Sequence, residues 1–286
     1  MITEGHDSAL ADLDLRATAD VVRALNDANA VVLDALREAE GALVALVDAA
    51  ARAGRVVYVG AGSAGQMAAA DADEWGPTFS VAESAVVALV AGASLPSGPL
   101  REGAEDDADA GAAELSALAP TADDVVIGVS ASGHTPYTLG ALRAGRDAGA
   151  LTAAVVCAPD SPMAVVADHA VVLPVGPEVI AGSTRLKAGT AQKLALNAFS
   201  TALMVRRGRT YGNLMSSMRV ANAKLRERAV RICCLAAGSD EERARAALAG
   251  AGDEIEVALV MLLAGVDAAP ARERLSAAGS VREAAR

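Results

Sequence analysis

The sequence predicts an α/β protein built on a doubly wound, parallel, five-stranded sheet, with helices before it and a small helical module after it. Three observations predict this. Short apolar runs rich in valine alternate with helix-periodic stretches from Val56 to Arg206. Such runs are the mark of strands buried on both faces, and alternation with helices makes the sheet parallel. The first and third runs, Val56–Gly60 and Asp124–Val129, both empty into turns of small and hydroxyl residues. In a parallel sheet those turns share the carboxyl edge, where ligands bind.

The elements follow in order. Residues 1–16 are polar and read as an arm. From Ala17 to Ala53, Val21, Leu25, Val32, Leu36, Leu43 and Leu46 recur at helical spacing, which predicts one or two helices with a break at Gly41. The first strand and its turn, Ala61 to Gln66, lead to a helix from Met67 to Trp75 that Gly76-Pro77 ends. A second strand covers Ala85–Val90, followed by a Gly/Ser/Pro loop from Gly92 to Pro99 and an acidic helix from Arg101 to Leu118. After the third strand come the loop Ser130–Pro136 and a helix to Ala148. Leu151–Cys157 and Ala170–Val175 are the last two strands. A loop from Gly176 to Ser183 opens a long helix, Thr184–Arg206. Short helices near 222–236, 240–249, 253–264 and beyond Asp267 form the tail. The expected division is an N-terminal arm with helices (1–54), a ligand-binding sheet domain (55–215) and a helical module (216–286).

Composition narrows the function. The chain has 286 residues, 53% of them hydrophobic but only 2% aromatic, so the core is alanine, valine and leucine. A net charge of −11 argues against nucleic acid or an anionic membrane as partner. No apolar stretch is long enough for a membrane span, and the acidic start has no signal-peptide core, so the expected location is the cytoplasm. Cys157, Cys233 and Cys234 have neither metal-like nor disulfide-like spacing and read as buried filler.

Chemistry concentrates in the turns. Gly60, Gly62 and Gly65 let the chain bend sharply and approach a ligand, and the following helix aims free amides at the turn. That is an anion site, best suited to phosphate. A dinucleotide turn has the same glycine spacing, but the acid it needs after the second strand is absent: Ala91-Gly92-Ala93-Ser94 stands there. Ser63, Ser130, Ser132 and Thr135 add neutral hydroxyl donors; the plainer alternative is that they are ordinary helix caps. Arg185 and Lys187 open the long helix behind Ser183 and Thr184. Cations oppose the dipole there, which hints at an anion partner, though ion pairs with the acidic helix explain them nearly as well. Glu74 and Glu105 do not stand out from solvated helix charges on pattern alone.

Several stretches together resemble the N-acetylmuramic acid 6-phosphate etherases: Gly60–Gly65, Asp71–Phe79, Glu102–Asp107, Ser132–Tyr137, Val175–Lys193 and Tyr211–Met215. The likeness runs from about Thr3 to the C-terminal helices. It implies a sugar isomerase (SIS) fold, flavodoxin-like in plan, with a tail resembling ubiquitin-associated modules. It also implies homodimers, a phosphorylated amino sugar as substrate, and neither metal nor cofactor. The implied reaction cleaves the D-lactyl ether with water. By motif, Glu74 is the acid toward the leaving group and Glu105 the other catalytic carboxyl, with burial and mutual repulsion expected to raise one of them. The implied substrate and phosphate ligands are Gly62, Ser63, Ser130, Ser132, Gly133, Thr135, Ser183 and Lys187.

The sequence departs from the family pattern in places. Ser63-Ala64-Gly65-Gln66 replaces Thr-Ser-Gly-Arg, His134 replaces an arginine, and Trp75-Gly76 replaces Cys-Pro. Positive charge is lost from the expected pocket, which keeps two alternatives open. One is a non-catalytic phosphosugar sensor resembling glucokinase regulatory proteins. The other is an aldose–ketose isomerase, which leaves the stretch at 175–193 unexplained.

Overall fold

The computed structural model describes residues 5–93 and 103–286. By compactness the chain divides into two units, residues 1–72 with 84–200, and 73–83 with 201–286.

The first unit carries the sheet. Strands β1 (Arg55–Gly60), β2 (Val86–Val90), β3 (Asp124–Ser130), β4 (Leu151–Val156) and β5 (His169–Val172) are all parallel, in the order β2-β1-β3-β4-β5. This is the flavodoxin-like order, whose switch point lies between β1 and β3. All of β3 is buried, as its unbroken apolar run requires. On one face Val57, Val59 and Val126 pack with Leu115 of α5 (Ala108–Ala117), Tyr137 and Leu142 of α6 (Pro136–Asp147) and Met163 of α7 (Pro162–Val166). On the other, Tyr58 meets Phe199 of α8 (Lys187–Arg206) edge to face, with ring centroids 6.5 Å apart.

A paired charge fixes the amino edge. Arg55 donates twice to Asp124, both at 2.9 Å, tying the start of β1 to the start of β3. The Asp124 carboxylate is 5% exposed and also accepts the Thr121 amide at 2.7 Å. Burial alone would raise this carboxyl; the hydrogen bonds from Arg55 and Thr121 outweigh it and hold it below the usual range. A depressed folded pKa contributes stability above the unfolded pKa, and that contribution is lost as pH falls through the folded value. Asp124→Asn is therefore expected to cost about 1–3 kcal/mol at pH 7. Paired thermal melts should show the gap from wild type closing below about pH 4.

Several boundaries differ from expectation. The N-terminal stretch forms three helices, α1 (Thr18–Ala28), α2 (Ala30–Glu38) and α3 (Glu40–Ala50). The breaks fall at Asn29 and Ala39, and Gly41 lies inside α3. Asn29 turns its amide back on the Leu25 carbonyl at 2.9 Å, the kind of local bond that interrupts a helix. The polar arm contains two single 3₁₀ turns, Ser8–Leu10 and Leu13–Leu15.

Helix α4 runs from Gly62 to Phe79, longer at both ends than predicted. Pro77 falls in its last turn, and the Ser80 amide continues the ladder to the Gly76 carbonyl at 3.0 Å. A proline there forfeits one bond without stopping the turn. The acidic helix begins later than expected. A 3₁₀ turn, Ala104–Asp106, precedes α5, and Asp107 caps α5 by accepting the Ala110 amide at 2.9 Å. Residues 94–99 of the predicted loop, and Arg101 and Glu102, lie outside the described residues.

The second unit contains α9 (Ala223–Ala237), α10 (Glu241–Ala251), α11 (Ile255–Ala264), α12 (Ala268–Ala278) and α13 (Val281–Ala284). Asn222 and Asp240 cap the starts of α9 and α10, and Gly238, Gly252, Gly265 and Gly279 end four helices in the left-handed conformation. Val230, Ile232, Leu248, Leu259 and Val260 fill the core. Cys157, in the first unit, and Cys233, in this one, are buried; burial pushes both thiols up to about 12 and leaves them inert at neutral pH. Among the described residues no helix is long and apolar enough to cross a membrane.

Candidate active site

The site is built where β1 and β3 end. Strand β1 stops at Gly60 and α4 starts two residues later. A Cβ on Gly60 would lie 2.8 Å from the Cα and N of Gly65, and one on Gly65 would lie 2.8 Å from the Gly60 carbonyl carbon. These two glycines therefore press the helix start against the strand end. Only Gly62 has the left-handed φ, +52°, and the space beside it is open. The first helical bond runs from the Gly65 amide to the Ala61 carbonyl at 3.0 Å. Gly62, Ser63 and Ala64 precede that ladder and line a cavity of about 400 Å³.

The β3 loop supplies the facing wall. The Ser130 hydroxyl lies 2.8 Å from that of Thr135 and 3.3 Å from that of Ser132, and it accepts the Gly133 amide at 3.1 Å. Thr135 precedes α6 but makes no capping bond, so its hydroxyl belongs to the serine cluster rather than to the helix end. Gly133 has φ +66°, and a Cβ there would strike the Ser161 hydroxyl at 2.2 Å; its role is close packing. His134 holds Nδ1 2.8 Å from the Ser132 carbonyl. A carbonyl only accepts, so Nδ1 carries the proton and donates. His134 lines the cavity beside Ser130, Ser132 and Thr135.

Glu105 lines the same cavity from the 3₁₀ turn, with Asp106 beside it. Glu74 lies on α4, in the part of that helix that belongs to the second unit. Both carboxylates are exposed in this chain.

The long helix behaves differently from expectation. It begins at Lys187, not Thr184, and its N-terminus is occupied by the chain's own anion. Glu178, 1% exposed, accepts the amides of Lys187 at 3.2 Å and Ala188 at 2.8 Å. This carboxylate answers the dipole that Arg185 and Lys187 oppose. Gly182 and Thr184, on either side of Ser183, line the cavity, and so does buried Gln192 from the next turn of α8. Below the site, Asp71 of α4 accepts from the Tyr58 hydroxyl of β1 at 2.9 Å and the Ser200 hydroxyl of α8 at 3.2 Å, with Lys193 at 3.6 Å. Sequence reasoning missed Gln192, Glu178 and Asp71 in these roles.

Comparison with known proteins gives this cavity its context. A SIS domain model matches residues 108–202, and a model of the glucokinase regulatory protein N-terminal SIS domain matches residues 39–146. An N-acetylmuramic acid 6-phosphate etherase of Rubrobacter xylanophilus is 49% identical over 288 residues, covering 99% of this chain and 95% of its own. The chain belongs to the N-acetylmuramic acid 6-phosphate etherase family. An etherase of Streptomyces coelicolor is 44% identical across 100% of this chain and 93% of its own, and one of Deinococcus radiodurans 48% across 94% and 90%.

Two solved structures share the fold. One is a sugar-phosphate isomerase-like protein of Listeria monocytogenes, with TM-score 0.52 and 21% identity over 70% of this chain and 92% of that one. The other is a phosphosugar isomerase-like protein of Bacteroides fragilis, with TM-score 0.50 and 20% identity over 74% and 97%. Within the etherase family, the glycine turn and the serine loop of this chain thus form two walls of one cavity, with Glu105 on its rim.

Proposed function

We propose that this chain is a carbon–oxygen lyase that cleaves the D-lactyl ether of N-acetylmuramic acid 6-phosphate, giving N-acetylglucosamine 6-phosphate and D-lactate. The observation that carries the reading is the convergence of Glu105, the Gly62–Ala64 turn and the Ser130–Thr135 hydroxyls on one cavity. The amides and hydroxyls suit a phosphate, which they bind with neutral donors. Ser183 and Lys187 are not among the residues that line the cavity; they stay in the proposed ligand set on the family resemblance alone.

The chemistry follows from the substrate. The open-chain sugar has an aldehyde at C1, which acidifies the C2 proton. A carboxylate removes that proton, the C3–O bond breaks, and lactate oxygen takes a proton from a carboxylic acid. Water then adds its oxygen at C3 while a proton returns to C2, with the two carboxyls exchanging roles. Glu74 is proposed as acid toward lactate and Glu105 as base. Because both are exposed in the isolated chain, the dry environment that an acid role requires comes from the bound sugar and a second subunit. A homodimer is proposed accordingly, working in the cytoplasm. The exposed Leu15, Val22, Leu33 and Val44 of the N-terminal segment support an apolar contact.

The match of residues 39–146 to a regulatory protein's SIS domain keeps a sensor as the second reading. One experiment separates the two. Purified protein given N-acetylmuramic acid 6-phosphate is expected to release D-lactate stoichiometrically. A rise in melting temperature with the phosphosugar but no lactate would favour the sensor.

A further inference from the structure

A second cavity, about 390 Å³, lies wholly within the second unit, between residues 216–220 and the corner joining α10 to α11. Most charges around it are matched inside the protein. Arg226 pairs with Oδ2 of Asp253, Arg272 lies 2.7 Å from Glu254, and Arg209 lies 3.5 Å from Glu256. The other Glu256 oxygen accepts from the Ser217 hydroxyl.

Three polar groups on the wall remain. Ser216 is 0% exposed, and its hydroxyl makes no hydrogen bond. Oδ1 of Asp253 is buried and makes none. Arg219 lines the cavity with its guanidinium in no ion pair among the described residues. Buried polar groups without partners are unfavourable and rare in native proteins. Moreover, Ser80 (φ +51°) and Asp253 (φ +65°), two of the three non-glycine residues with positive φ among those described, both border this cavity. Strained backbone of this kind gathers at ligand sites.

The three groups define a ligand by valence. Arg219 only donates and is cationic. Asp253 Oδ1 only accepts. Ser216 does either. A molecule with one anionic group and at least one hydroxyl satisfies all three, and a cavity of this volume admits one the size of a sugar phosphate or smaller. We infer that this cavity is a second binding site, for a small hydroxylated anion: a hydroxy acid or a phosphorylated sugar. The inference concerns the second unit alone and does not depend on the etherase reading.

The test is titration calorimetry on the full chain with two probes separately, D-lactate and N-acetylglucosamine 6-phosphate. Wild type, Arg219→Gln, Ser216→Ala and Ser132→Ala are compared. The expected result is a binding event, with one of the probes, that Arg219→Gln weakens about tenfold or more and Ser132→Ala leaves unchanged. Ser216→Ala should weaken the same event. Arg219 is exposed, so its variant is expected to fold and to keep wild-type turnover. Which probe shows the event tells the hydroxy acid from the sugar phosphate. If neither probe shows an event sensitive to Arg219→Gln, or if every event is lost with Ser132→Ala, the site does not exist. Failure of the etherase reading would instead remove the event that Ser132→Ala controls.

Discussion

Glu105→Gln is expected to lower D-lactate release by about 10³-fold while leaving phosphosugar binding within a few-fold of wild type. Glutamine keeps the size and hydrogen-bonding reach of the side chain but cannot hold or deliver the proton. Glu105 itself is exposed, so its replacement should leave the melting temperature unmoved. Phosphate binding rests on other groups: the amides at 62–64 and the Ser130, Ser132 and Thr135 hydroxyls. A loss in kcat with KM nearly unchanged is the signature of a group that acts in the transition state. Glu74→Gln should behave alike, because elimination needs a base and an acid together. Steady-state lactate assays beside thermal melts with and without ligand check both variants. Wild-type turnover in Glu105→Gln would remove this residue from the mechanism.

The parts of this site that were legible in the sequence are those coded locally. Parallel strands buried on both faces must be continuous apolar runs, so Val56–Gly60 and Asp124–Val129 announced themselves, and their small-residue turns marked the carboxyl edge. The helical tail was equally readable, since Asn222, Asp240 and four glycines punctuate it. What stayed hidden depends on partners distant in the chain. Asp71 looks like any helix acid until the fold brings Ser200, 129 residues on, within 3.2 Å. Glu178 reads as a loop charge, yet its carboxylate holds the start of α8. Gln192 has no local signal at all; only the docking of α8 on the sheet turns it to the cavity. The glycine turn was located from sequence, but the reason for two of its glycines, contact between strand end and helix start, is a property of the packed structure.

Gly140→Ala is expected to lower the melting temperature by about 6–12 °C, and to cost more activity than the stability loss explains. Helices α5 and α6 cross through a pair of glycines. A Cβ on Gly140 would stand 2.0 Å from the Ala108 carbonyl oxygen, and one on Gly111 would stand 2.0 Å from the Tyr137 carbonyl oxygen. In both cases the struck atom is helical backbone, which cannot rotate aside. The helices must move apart by an ångström or more, at about 3 kcal/mol or above. That displacement reaches the chemistry. Glu105 lies just ahead of α5, and Ser132 and Thr135 lie just ahead of α6, so the carboxyl and the phosphate hydroxyls shift relative to each other. Misplacement on this scale costs catalysis heavily even when the fold survives. Gly41→Ala is the control. Gly41 is also helical, but it has no atom within 4 Å of its added methyl, so alanine there should be neutral or slightly stabilising. Thermal melts and lactate assays on the two variants distinguish a tight helix crossing from a general sensitivity to added volume. If Gly140→Ala melts with wild type, the α5–α6 crossing has slack, and the spacing of Glu105 from the serine loop is set elsewhere, by the sheet itself.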